Sequence, residues 1–485
     1  MRILYVPFFS SKNLGGCSIF NAMKVLLRGI VESDENVFVY YLVPANDDFD
    51  IEAATYIEHP RIKQIPVKAF STQEIDMVFM PTEVMELFNA TSGKYAVDLI
   101  LTDKQRISLW LKMMVNSGIR SPSGDIPIVT MSQFQTGSVE NGENIPHSEE
   151  FFYSQILGWY AGWNLWQCPQ HLKDAIKLSN KYAKPHVVDR IIKRSHKGWV
   201  TLVSVDRLRP YLSEEKSKDE IVVHYGSRMG STYYFHDVFH DIDRLYQAGR
   251  PVKLLITSPS VSAGASGGKE LKRLSDSRAN MEVVIPCKQE EFYRRAAQAH
   301  VSLWIAPHSG PSLSIREQAY LGQVIVAPRR GVYELMFPDY PYLYSSVAER
   351  QFILRHVVEN YWSDEVQEVI AKYRKHIEDN HDIKNEIANI SQFLRNASDD
   401  GDNTGSTENI LKDVLEAASW PEQITLSELR ALVRKETRIG RDIEVNYTGT
   451  NRVHFIRAMR MLGYVDDYQT EEIVWHRSKV TLESE

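Results

Sequence analysis

Short apolar runs alternate with helical stretches along most of the chain, and this alternation restricts the possible folds more than any other feature of the sequence. The first series has apolar runs at Ile3 to Val6, Val37 to Val43, Val97 to Leu101, Ile126 to Thr130 and Val200 to Val205, with a helical segment from Ile19 to Val31. Strands interleaved with helices are typical of parallel sheets covered by helices. Residues 1–205 are therefore predicted to form a Rossmann-like α/β domain.

A second series of the same kind begins at Asp206. Strands are predicted at Ile221 to Tyr225, Val252 to Ile256, Met281 to Ile285, Val301 to Ile305 and Gln323 to Ala327, and helices at Asp237 to Gln247 and Leu313 to Leu321. This predicts a second Rossmann-like domain over residues 206–345 and a helical return segment over residues 346–395. Two doubly wound domains in tandem face a cleft, and ligands bind at the C-terminal ends of their strands.

Charge, cysteine content and hydropathy exclude several classes of protein. The net charge of -7 gives no general attraction to nucleic acid or membranes, so any such contact needs a local patch. Cys17, Cys168 and Cys287 lie far apart without a CxxC pair, which argues against a disulfide framework or a zinc site and fits a reducing cytosol. No apolar run approaches the roughly 18 residues of a membrane helix, and the short apolar start predicts a buried strand rather than a signal peptide. We expect a cytoplasmic protein with no membrane span.

The segment from Ile305 to Ala327 carries the strongest functional signal. A predicted strand ends at Pro307, a turn of small residues follows, and a helix leads to the next strand. Small residues let the backbone approach a ligand, and the free N–H groups at a helix start attract phosphate. The candidate ligand-binding residues are Ser309, Gly310, Ser312, Leu313, Ser314 and Glu317, the last near the middle of the helix, where its carboxylate can accept hydrogen bonds from sugar hydroxyls.

Purely structural explanations also exist for these features. The turn and Glu317 can form a plain strand-to-helix connection in which the glutamate makes a local cap or a surface salt bridge. Arg228 can be a surface cation. Asp241-Ile-Asp243 superficially resembles a metal motif, but it lies within a helical pattern. We therefore interpret this pair as a solvated helix face and expect no catalytic metal.

The turn and helix resemble the donor site of the family-4 retaining glycosyltransferases, which have the two-Rossmann-domain GT-B fold. Glu317 matches the family's second motif glutamate, which binds the nucleotide ribose, and the turn before it matches the one whose amides hold the diphosphate and sugar. Further matches follow in the family's order along the chain: Gly15 and Gly16 after the first strand, Ser204 to Asp206 at the domain boundary, Arg228 as the cation for the diphosphate, and Gly331 with Glu334 after the motif.

The sequence departs from the family pattern at two positions. Ser309 stands where the family has its first acidic residue, which contacts the transferred sugar. The lysine expected about five residues after Arg228 is absent, and Tyr233 and Tyr234 are there instead. A pentose donor, or one without the usual hydroxyl pattern, is compatible with these changes.

The resemblance implies a particular chemistry and a particular donor. A nucleotide sugar, expected to be a UDP-sugar, would bind without a metal or other cofactor, and the sugar would be transferred with retention. Arg228 and Glu317 are the residues carried over as catalytic, with Arg228 and the helix-start amides stabilising the leaving diphosphate. In the N-terminal acceptor domain, Gln133 and Gln135 follow a predicted strand where relatives often carry a histidine, and they are candidates for acceptor binding or simply loop residues.

The C-terminal residues differ in composition from the rest of the chain. Residues 396–409 contain no apolar side chain larger than alanine, which predicts a flexible linker. Beyond it we predict a helix from Ile410 to Ala418, a second helix opened by a capping box at Thr425 to Glu428, a third from Asn451 to Leu462, and two short strands at Tyr464 to Val465 and Ile473 to Trp475. This order over residues 410–485 resembles a winged helix, a common DNA-binding fold.

The charge of this module favours DNA as its partner. The segment from Glu428 to Arg460 contains eight basic and four acidic residues, so its net charge is +4. The side chains expected to contact DNA, on or near the third helix, are Arg441, Asn451, Arg452, His454 and Arg457. A helical protein-interaction or dimerisation module is the alternative.

A glycosyltransferase tethered to a DNA reader suggests that DNA is the acceptor. Bacteriophage enzymes that glycosylate hydroxymethylcytosine or hydroxymethyluracil to evade restriction are similar in kind, and such an enzyme would act in the host cytoplasm. Two alternatives are a cytoplasmic glycosyltransferase with a glycan, lipid-linked or protein acceptor, and a non-enzymatic protein that binds nucleotide sugars on the same scaffold. The first alternative predicts that deletion of residues 396–485 leaves transfer intact.

Overall fold

A computed structural model gives the fold of the protein. It describes residues 1–7, 9–10, 18–45, 56–72, 76–79, 97–103, 126–132, 149–226, 235–258, 275–305 and 312–399, the short segments 423–425, 464–467 and 474–477, and the single positions 108, 111, 271, 273, 416 and 428.

The first domain is built on a parallel sheet of seven strands. Its strands are β1 (Arg2–Val6), β3 (Phe38–Pro44), β4 (Ile62–Val67), β7 (Leu99–Thr102), β8 (Ile128–Ser132), β9 (Trp163–Trp166) and β10 (Ser195–His196), in the spatial order β10-β9-β8-β7-β1-β3-β4. A small antiparallel sheet contains β2 (Phe9–Ser10), β5 (Ala69–Thr72) and β6 (Asp76–Phe79). All residues of β7 and β8 are buried, which is what a parallel sheet covered on both faces requires.

Four helices of the first domain are described. They are α1 (Ser18–Ser33), α2 (Glu149–Ala161), α3 (Pro169–Tyr182) and α4 (Pro185–Lys193). In α1 the buried side chains of Phe20, Met23, Leu27 and Ile30 recur every three or four residues. That spacing places them on one helix face against the sheet.

The second domain contains a parallel sheet whose strand order reverses at its centre. Its strands are β11 (Ile221–Tyr225), β12 (Val252–Thr257), β13 (Met281–Val284), β14 (Val301–Leu303), β15 (Val324–Pro328) and β16 (Leu343–Tyr344), in the order β13-β12-β11-β14-β15-β16. Its helices are α5 (Val205–Leu208), α6 (Phe235–Gln247), α7 (Gln289–Gln298), α8 (Leu313–Tyr320) and α9 (Gly331–Met336), with a 3-10 helix at Arg209–Ser213. The order in which successive strands are added to the sheet reverses between β11 and β14. Sheets of this kind bind ligands at that point.

Three long helices follow the second sheet. They are α10 (Val347–Asn360), α11 (Asp364–His381) and α12 (Ile383–Asp399). The buried side chains of α10 and α11 belong to the core of the second domain, whereas those of α12 belong to the core of the first. The two parallel-sheet α/β domains predicted from the sequence are thus confirmed, and all but one of the predicted strands lie within a few residues of their predicted positions.

The predicted strand from Val200 to Val205 is wrong. Val203 makes only an isolated bridge to Asp382, and α5 begins at Val205. This segment crosses between the domains, so its apolar side chains serve two cores: Val200 and Leu202 pack in the first domain, and Val203 and Val205 in the second. The apolar side chains of this segment are buried because the segment crosses between two cores, and not because it is a strand of a sheet.

Helix α12 continues four residues into the predicted flexible linker. Residues 396–399 are helical, and Ala397 is fully buried in the first core. Packing against α1 explains this: a Cβ on Gly29 of α1 would lie 3.0 Å from Ile383 and 3.2 Å from Ile387, and the Arg395 guanidinium is ion-paired with Asp34. The remainder of the predicted linker lies outside the described residues.

The interpretation of Asp241 as part of a solvated face is also wrong. Asp241 is 4% exposed and is held by Arg350 of α10, with 2.7 Å between Arg350 Nε and Asp241 Oδ2. Gln351 donates a second hydrogen bond of 2.9 Å to the same carboxylate. Asp243 is partly exposed and pairs with Arg278 at 2.6 Å. The pair therefore fixes α6 to its neighbours.

Parts of the C-terminal module are described. β17 (Gln423–Thr425), β18 (Tyr464–Asp467) and β19 (Val474–Arg477) form an antiparallel sheet in the order β17-β19-β18. The predicted capping box is confirmed, because Thr425 N donates to Glu428 Oε2 at 2.9 Å and Glu428 N donates to Thr425 Oγ1 at 3.1 Å. The hairpin β18–β19 is confirmed as well, and the winged-helix assignment stays a prediction. Among the described helices, none is both long and apolar enough to cross a membrane.

Candidate functional site

The start of α8 lies at the point where the second sheet reverses its strand order. Ser312 is the N-cap residue, with extended backbone angles (φ −74°, ψ 132°) and no hydrogen bond from its side chain to the helix. Every residue of α8 except Ser314 is buried, so the helix is held firmly while Ser312 and Ser314 stay partly accessible. The first amides of a helix have no partner within it and carry a partial positive charge, which makes this end suited to an anion.

Glu317 is a buried carboxyl group on this helix. Its side chain is only 6% exposed, and its Oε1 accepts a hydrogen bond of 2.8 Å from the hydroxyl of Tyr293. Burial raises the pKa of Glu317 to about 7, against the opposing effects of Tyr293, Arg207 and Arg316. A carboxylate removed from water in this way is stabilised by further hydrogen-bond donors, such as those a bound ligand brings.

A chain of hydrogen bonds leads from Glu317 to the surface of the domain. The hydroxyl of Tyr293, which donates to Glu317, accepts 2.7 Å from Gln289 Nε2 one turn earlier on α7. Gln289 Oε1 in turn accepts from Arg207 Nη2 at 3.4 Å. Three elements, α5, α7 and α8, are thereby tied to one another around the carboxylate.

A second polar network lies at the switch point of the sheet and involves the residue next to Glu317 on α8. His224 of β11 is fully buried, its Nε2 lies 2.8 Å from Thr257 Oγ1, and burial lowers its pKa to about 3, so it is neutral. Gln318 of α8 lies 3.4 Å from His224 Nδ1 and accepts from Trp304 at 3.2 Å. These contacts join β11, β12, α8 and the residue that follows β14 at the switch point.

Gly226 follows β11 directly and permits this packing. A Cβ at Gly226 would lie 2.4 Å from Gln318 Nε2, 3.0 Å from Phe292 Cε2 and 3.1 Å from His224 Cε1. Any larger residue would require the buried side chain of Gln318 to shift, and with it the hydrogen bonds that Gln318 makes. Glycine at this position therefore leaves room for the polar network around Gln318 and His224.

Arg316 connects the same helix to the crossover between the domains. It is fully buried, its guanidinium carbon lies 4.5 Å from the centroid of the Trp199 ring, and its Nη1 donates to the carbonyl of Thr201. Burial lowers the pKa of Arg316 to about 9. Consecutive residues of α8 therefore point to two places, Glu317 toward Tyr293 and Arg316 toward the crossover.

A cavity of about 1180 Å³ lies between the two domains. Its walls come from α1, residues 56–58, α5, the first residue of α7 and the start of α12. Arg207 and Gln289 both line it, so the hydrogen-bond chain from Glu317 ends at this cavity.

The structure locates some of the candidate site residues. Ser312, Leu313, Ser314 and Glu317 lie together on or beside α8. Ser204 is at the N-cap position of α5, without a hydrogen bond from its side chain to the helix, and Gly331 and Glu334 lie on α9, which begins three residues after β15 ends. The following candidates lie outside the described residues: Gly15, Gly16, Gln133, Gln135, Arg228, Ser309, Gly310, Arg441, Asn451, Arg452, His454 and Arg457. Within the described part of the chain, no group of three or more His, Cys, Asp or Glu residues is placed to hold a metal.

Sequence reasoning missed Arg207, Gln289, Tyr293 and Arg316. Arg207 stands immediately after the Ser-Val-Asp sequence at the domain boundary, and Gln289 and Tyr293 are one helical turn apart. That spacing was the available signal for a helix face directed at the site. Arg316 had no such signal, because its partners belong to the crossover.

The fold is shared with glycosyltransferases of known structure. Sucrose-phosphate synthase from Thermosynechococcus elongatus matches with a TM-score of 0.60 at 12% identity, over 82% of this chain and 99% of that one. HepE of Anabaena, solved in complex with UDP, matches with 0.56 at 13% identity over 82% and 100%. An α-glucosyltransferase solved with UDP-glucose and DNA containing an abasic site matches with 0.53 at 10% identity over 81% and 99%. At these identities the likeness establishes the fold alone, which is GT-B.

No protein-family model matches the chain, and no curated protein matches its sequence.

Proposed function

We propose that the protein is a retaining glycosyltransferase that moves a hexose or pentose from a UDP-sugar onto the hydroxyl of a hydroxymethylated base in DNA. Residues 206–345 bind the donor, residues 1–205 form the acceptor side of the cleft, and residues 410–485 contact DNA. The observation that carries the proposal is the buried Glu317 carboxylate on α8, a helix that begins at the switch point of a GT-B fold.

The donor half follows from the chemistry of α8. The diphosphate lies at the helix start, where Ser312 to Ser314 offer backbone amides. The ribose hydroxyls donate to Glu317, which has the hydroxyl of Tyr293 as its protein partner. The ribose hydroxyls would donate hydrogen bonds to the ionised Glu317 carboxylate, which burial removes from water. Binding of the nucleotide therefore favours ionisation of Glu317, and ionisation of Glu317 favours binding of the nucleotide.

The transfer step needs no covalent enzyme intermediate. The acceptor oxygen bonds to the anomeric carbon as the bond from that carbon to the diphosphate oxygen breaks. The electron pair goes to the diphosphate, and the acceptor proton passes to a diphosphate oxygen on the same face of the sugar, so that the configuration is retained. Arg228 and the α8 amides stabilise the charge that develops on the leaving group.

The acceptor half rests on the C-terminal module and on one structural neighbour. The stretch from Glu428 to Arg460 is net +4 in a chain whose total is -7, so positive charge is concentrated there. One protein with the same fold is an α-glucosyltransferase solved with DNA. A base inside a duplex cannot reach an interdomain cleft, so the target base would be extruded, at a cost of a few kcal/mol.

Nucleoside mass spectrometry tests the whole proposal. The full-length protein is incubated with a pool of nucleotide sugars and with duplexes that contain hydroxymethylcytosine, hydroxymethyluracil or neither, and the DNA is then digested. A nucleoside heavier by one pentose or hexose residue, found only with hydroxymethylated DNA, is the expected result. The Glu317→Gln variant is expected to give no such product.

The alternatives predict different results in the same assay. Nucleotide-sugar binding without any modified nucleoside would reject DNA with these bases as the acceptor and favour a glycan, lipid-linked or protein acceptor. Binding of the donor with no transfer to any acceptor would favour the non-enzymatic reading, to which Ser309 and the missing lysine point. Absence of nucleotide-sugar binding in calorimetry would reject the proposal that the protein uses a nucleotide-sugar donor.

The DNA contact is tested separately with Arg452→Gln and Arg457→Gln in the full-length chain. Each lost phosphate contact should reduce the slope of log affinity against log salt by about one. Affinity for UDP should stay unchanged, because these residues belong to the C-terminal module. An unchanged salt dependence would assign this module a role other than DNA binding.

A further inference from the structure

Positive charge is concentrated in the part of the first domain that directly precedes the crossover. Residues 169–197 include α3, α4 and β10 and contain eight basic and two acidic residues, a net charge of +6 in a chain whose total is -7. The basic residues are Lys173, Lys177, Lys181, Lys184, Arg190, Lys193, Arg194 and Lys197. This excess is larger than the +4 of the segment from Glu428 to Arg460, and it lies in a shorter stretch. A local patch of this kind allows a protein that is acidic as a whole to bind a polyanion.

Three of these lysines lie on one face of α3. Lys173, Lys177 and Lys181 are exposed and four residues apart, which places them one above another along the helix. The helix is fixed from its other side, because Leu172 and Leu178 are buried in a hydrophobic cluster of the first domain. The three lysines are called the lysine face of α3 below, and they are presented to solvent by a firmly packed helix.

The spacing of the lysine face is unfavourable for the isolated protein. On other helices, positions four residues apart hold oppositely charged pairs, Arg28 with Glu32 at 2.6 Å and Lys375 with Asp379 at 2.9 Å. Like charges at the same spacing repel each other and destabilise a helix. The lysine face therefore lowers the stability of the folded protein, and an anionic partner would offset that loss.

The surroundings of the lysine face favour a nucleic acid over a membrane as that partner. Helices that lie on membranes combine basic residues with large apolar side chains that enter the lipid. In residues 169–197, all of which the structure describes, no large apolar side chain is exposed, and Ile176 packs against the hydrophobic cluster. Lysines without apolar neighbours act as point charges that contact phosphates. A nucleic-acid backbone therefore fits this surface.

The lysine face begins close to the interdomain crossover. α3 starts three residues after β9 ends, at the carboxyl edge of the first sheet. Gln167, between the two elements, accepts hydrogen bonds from the amides of Val200 and Thr201 in the crossover, at 3.3 and 3.2 Å. From Lys173 on the second turn, the face extends about 12 Å along the helix axis to Lys181. Duplex DNA carries one negative charge per about 1.7 Å of its axis, so several phosphates fit along this length.

We propose that the lysine face of α3 binds the phosphate backbone of duplex DNA next to the cleft. The inference rests on the proposed function and adds to it a second DNA contact, in the acceptor domain itself. Contacts to phosphates carry no sequence information, so this surface holds the duplex in position and does not select the base. Its contribution is electrostatic, and it should be the same for modified and unmodified DNA.

Fluorescence anisotropy at a series of salt concentrations tests the inference. A labelled unmodified duplex is titrated with the full-length wild type and with a variant that combines Lys173→Gln, Lys177→Gln and Lys181→Gln. Each phosphate contact contributes about 0.9 to the slope of log affinity against log salt, so the slope should fall by about 2.7. The corresponding triple replacement by arginine keeps the three charges and should keep the slope of the wild type.

A second triple variant is the matched control. It combines Lys218→Gln, Lys372→Gln and Lys375→Gln, which remove three exposed lysines from the second domain and change the net charge by the same amount. Its slope should equal that of the wild type. An unchanged slope in the α3 variant, or an equal fall in the control, would overturn the inference.

Thermal melts exclude unfolding as the cause of weaker binding. The α3 glutamine variant should melt at the temperature of the wild type or higher, because it removes like charges four residues apart. Its affinity for UDP in calorimetry should equal that of the wild type, since the proposed donor site lies in the other domain.

Vesicles that contain phosphatidylserine test the competing anionic surface. The wild type and the α3 glutamine variant should sediment with these vesicles to the same small extent, because residues 169–197 expose no large apolar side chain. Capture of the wild type that is lost in the variant, together with an unchanged salt slope for DNA, would assign the lysine face to membranes and overturn the inference.

The outcomes separate this inference from the proposed function. Sugar transfer to hydroxymethylated DNA by the wild type, with no change of slope in the α3 variant, would overturn the DNA surface and leave the proposed function standing. A lower slope in the variant, with no transfer to any duplex by the wild type, would support the DNA surface and reject the hydroxymethylated base as the acceptor.

Discussion

Replacement of Glu317 by glutamine should stabilise the protein at neutral and alkaline pH while it weakens donor binding. An acid whose pKa is raised in the folded state holds a proton more tightly there than in the unfolded chain. Stability is then lost as pH rises from the ordinary pKa of 4.5 through the folded value of about 7. Below 4.5 both states are protonated and the penalty vanishes. Glutamine cannot ionise, and its oxygen can still accept from Tyr293.

The magnitude follows from the two pKa values. Burial of the Glu317 carboxyl costs the wild type about 1 kcal/mol at pH 5 and about 3 kcal/mol at pH 8. The stability advantage of Glu317→Gln over the wild type should therefore grow by about 2.5 kcal/mol between pH 5 and pH 8. In the opposite direction, loss of the charged acceptor should weaken UDP binding at least about tenfold.

Denaturant unfolding curves at pH 5, 6, 7 and 8 measure the difference. Glu215→Gln, which removes the same charge at an exposed position, is the control and should show no growing advantage. If the stabilities of Glu317→Gln and the wild type change in parallel over this range, the carboxyl group is not held in a desolvated site. The explanation of donor binding by its unmet hydrogen-bonding capacity would then be refuted.

Two further predictions concern packing. Gly226→Ala should lower the free energy of unfolding by about 1–3 kcal/mol and weaken UDP binding, because its Cβ would lie 2.4 Å from the side chain of Gln318. The control is Gly249→Ala, which is strained only by its φ of +77° and should cost about 1 kcal/mol without a change in UDP binding. Thermal melts measure the stabilities and calorimetry the binding. Arg350→Met should cost about 3–5 kcal/mol by leaving the Asp241 carboxylate buried and unpaired. The double variant with Asp241→Leu should recover most of that loss in denaturant unfolding, and failure to do so would mean that the pair matters for another reason.

The parts of the fold that could be predicted are those set by local sequence. Strands such as β7 and β8 are buried on both faces, so they read as continuous apolar runs. The capping box at Thr425 and Glu428 was visible because its partners are three residues apart. β17 was missed, since Gln423–Thr425 is short and its described pairing partner, β19, lies some fifty residues later.

The errors come from partners that are distant in sequence. Helical spacing alone does not show which face of α6 is buried, and the partner of Asp241 is 109 residues away. The run from Val200 to Val205 has the composition of a strand, but two different cores share it. For the candidate site, a motif placed Glu317 on its helix, whereas the contact from Tyr293 depends on how α7 packs on α8.

The return of α12 to the first domain bears on how the chain is synthesised. The core of that domain includes Ile383, Ile387, Ile390, Leu394 and Ala397, so its hydrophobic cluster is incomplete until the ribosome has passed residue 397. The crossover at Val203 leaves the ribosome about 190 residues earlier than Ala397, which corresponds to a wait of roughly 10–40 s at about 5–20 residues per second. All core residues of the second domain, the last of which is Ile377, have been synthesised before those of the first domain are complete. We expect the order of folding on the ribosome to be the reverse of the order of the domains in the gene, with the first half of the protein left open to chaperones until α12 emerges.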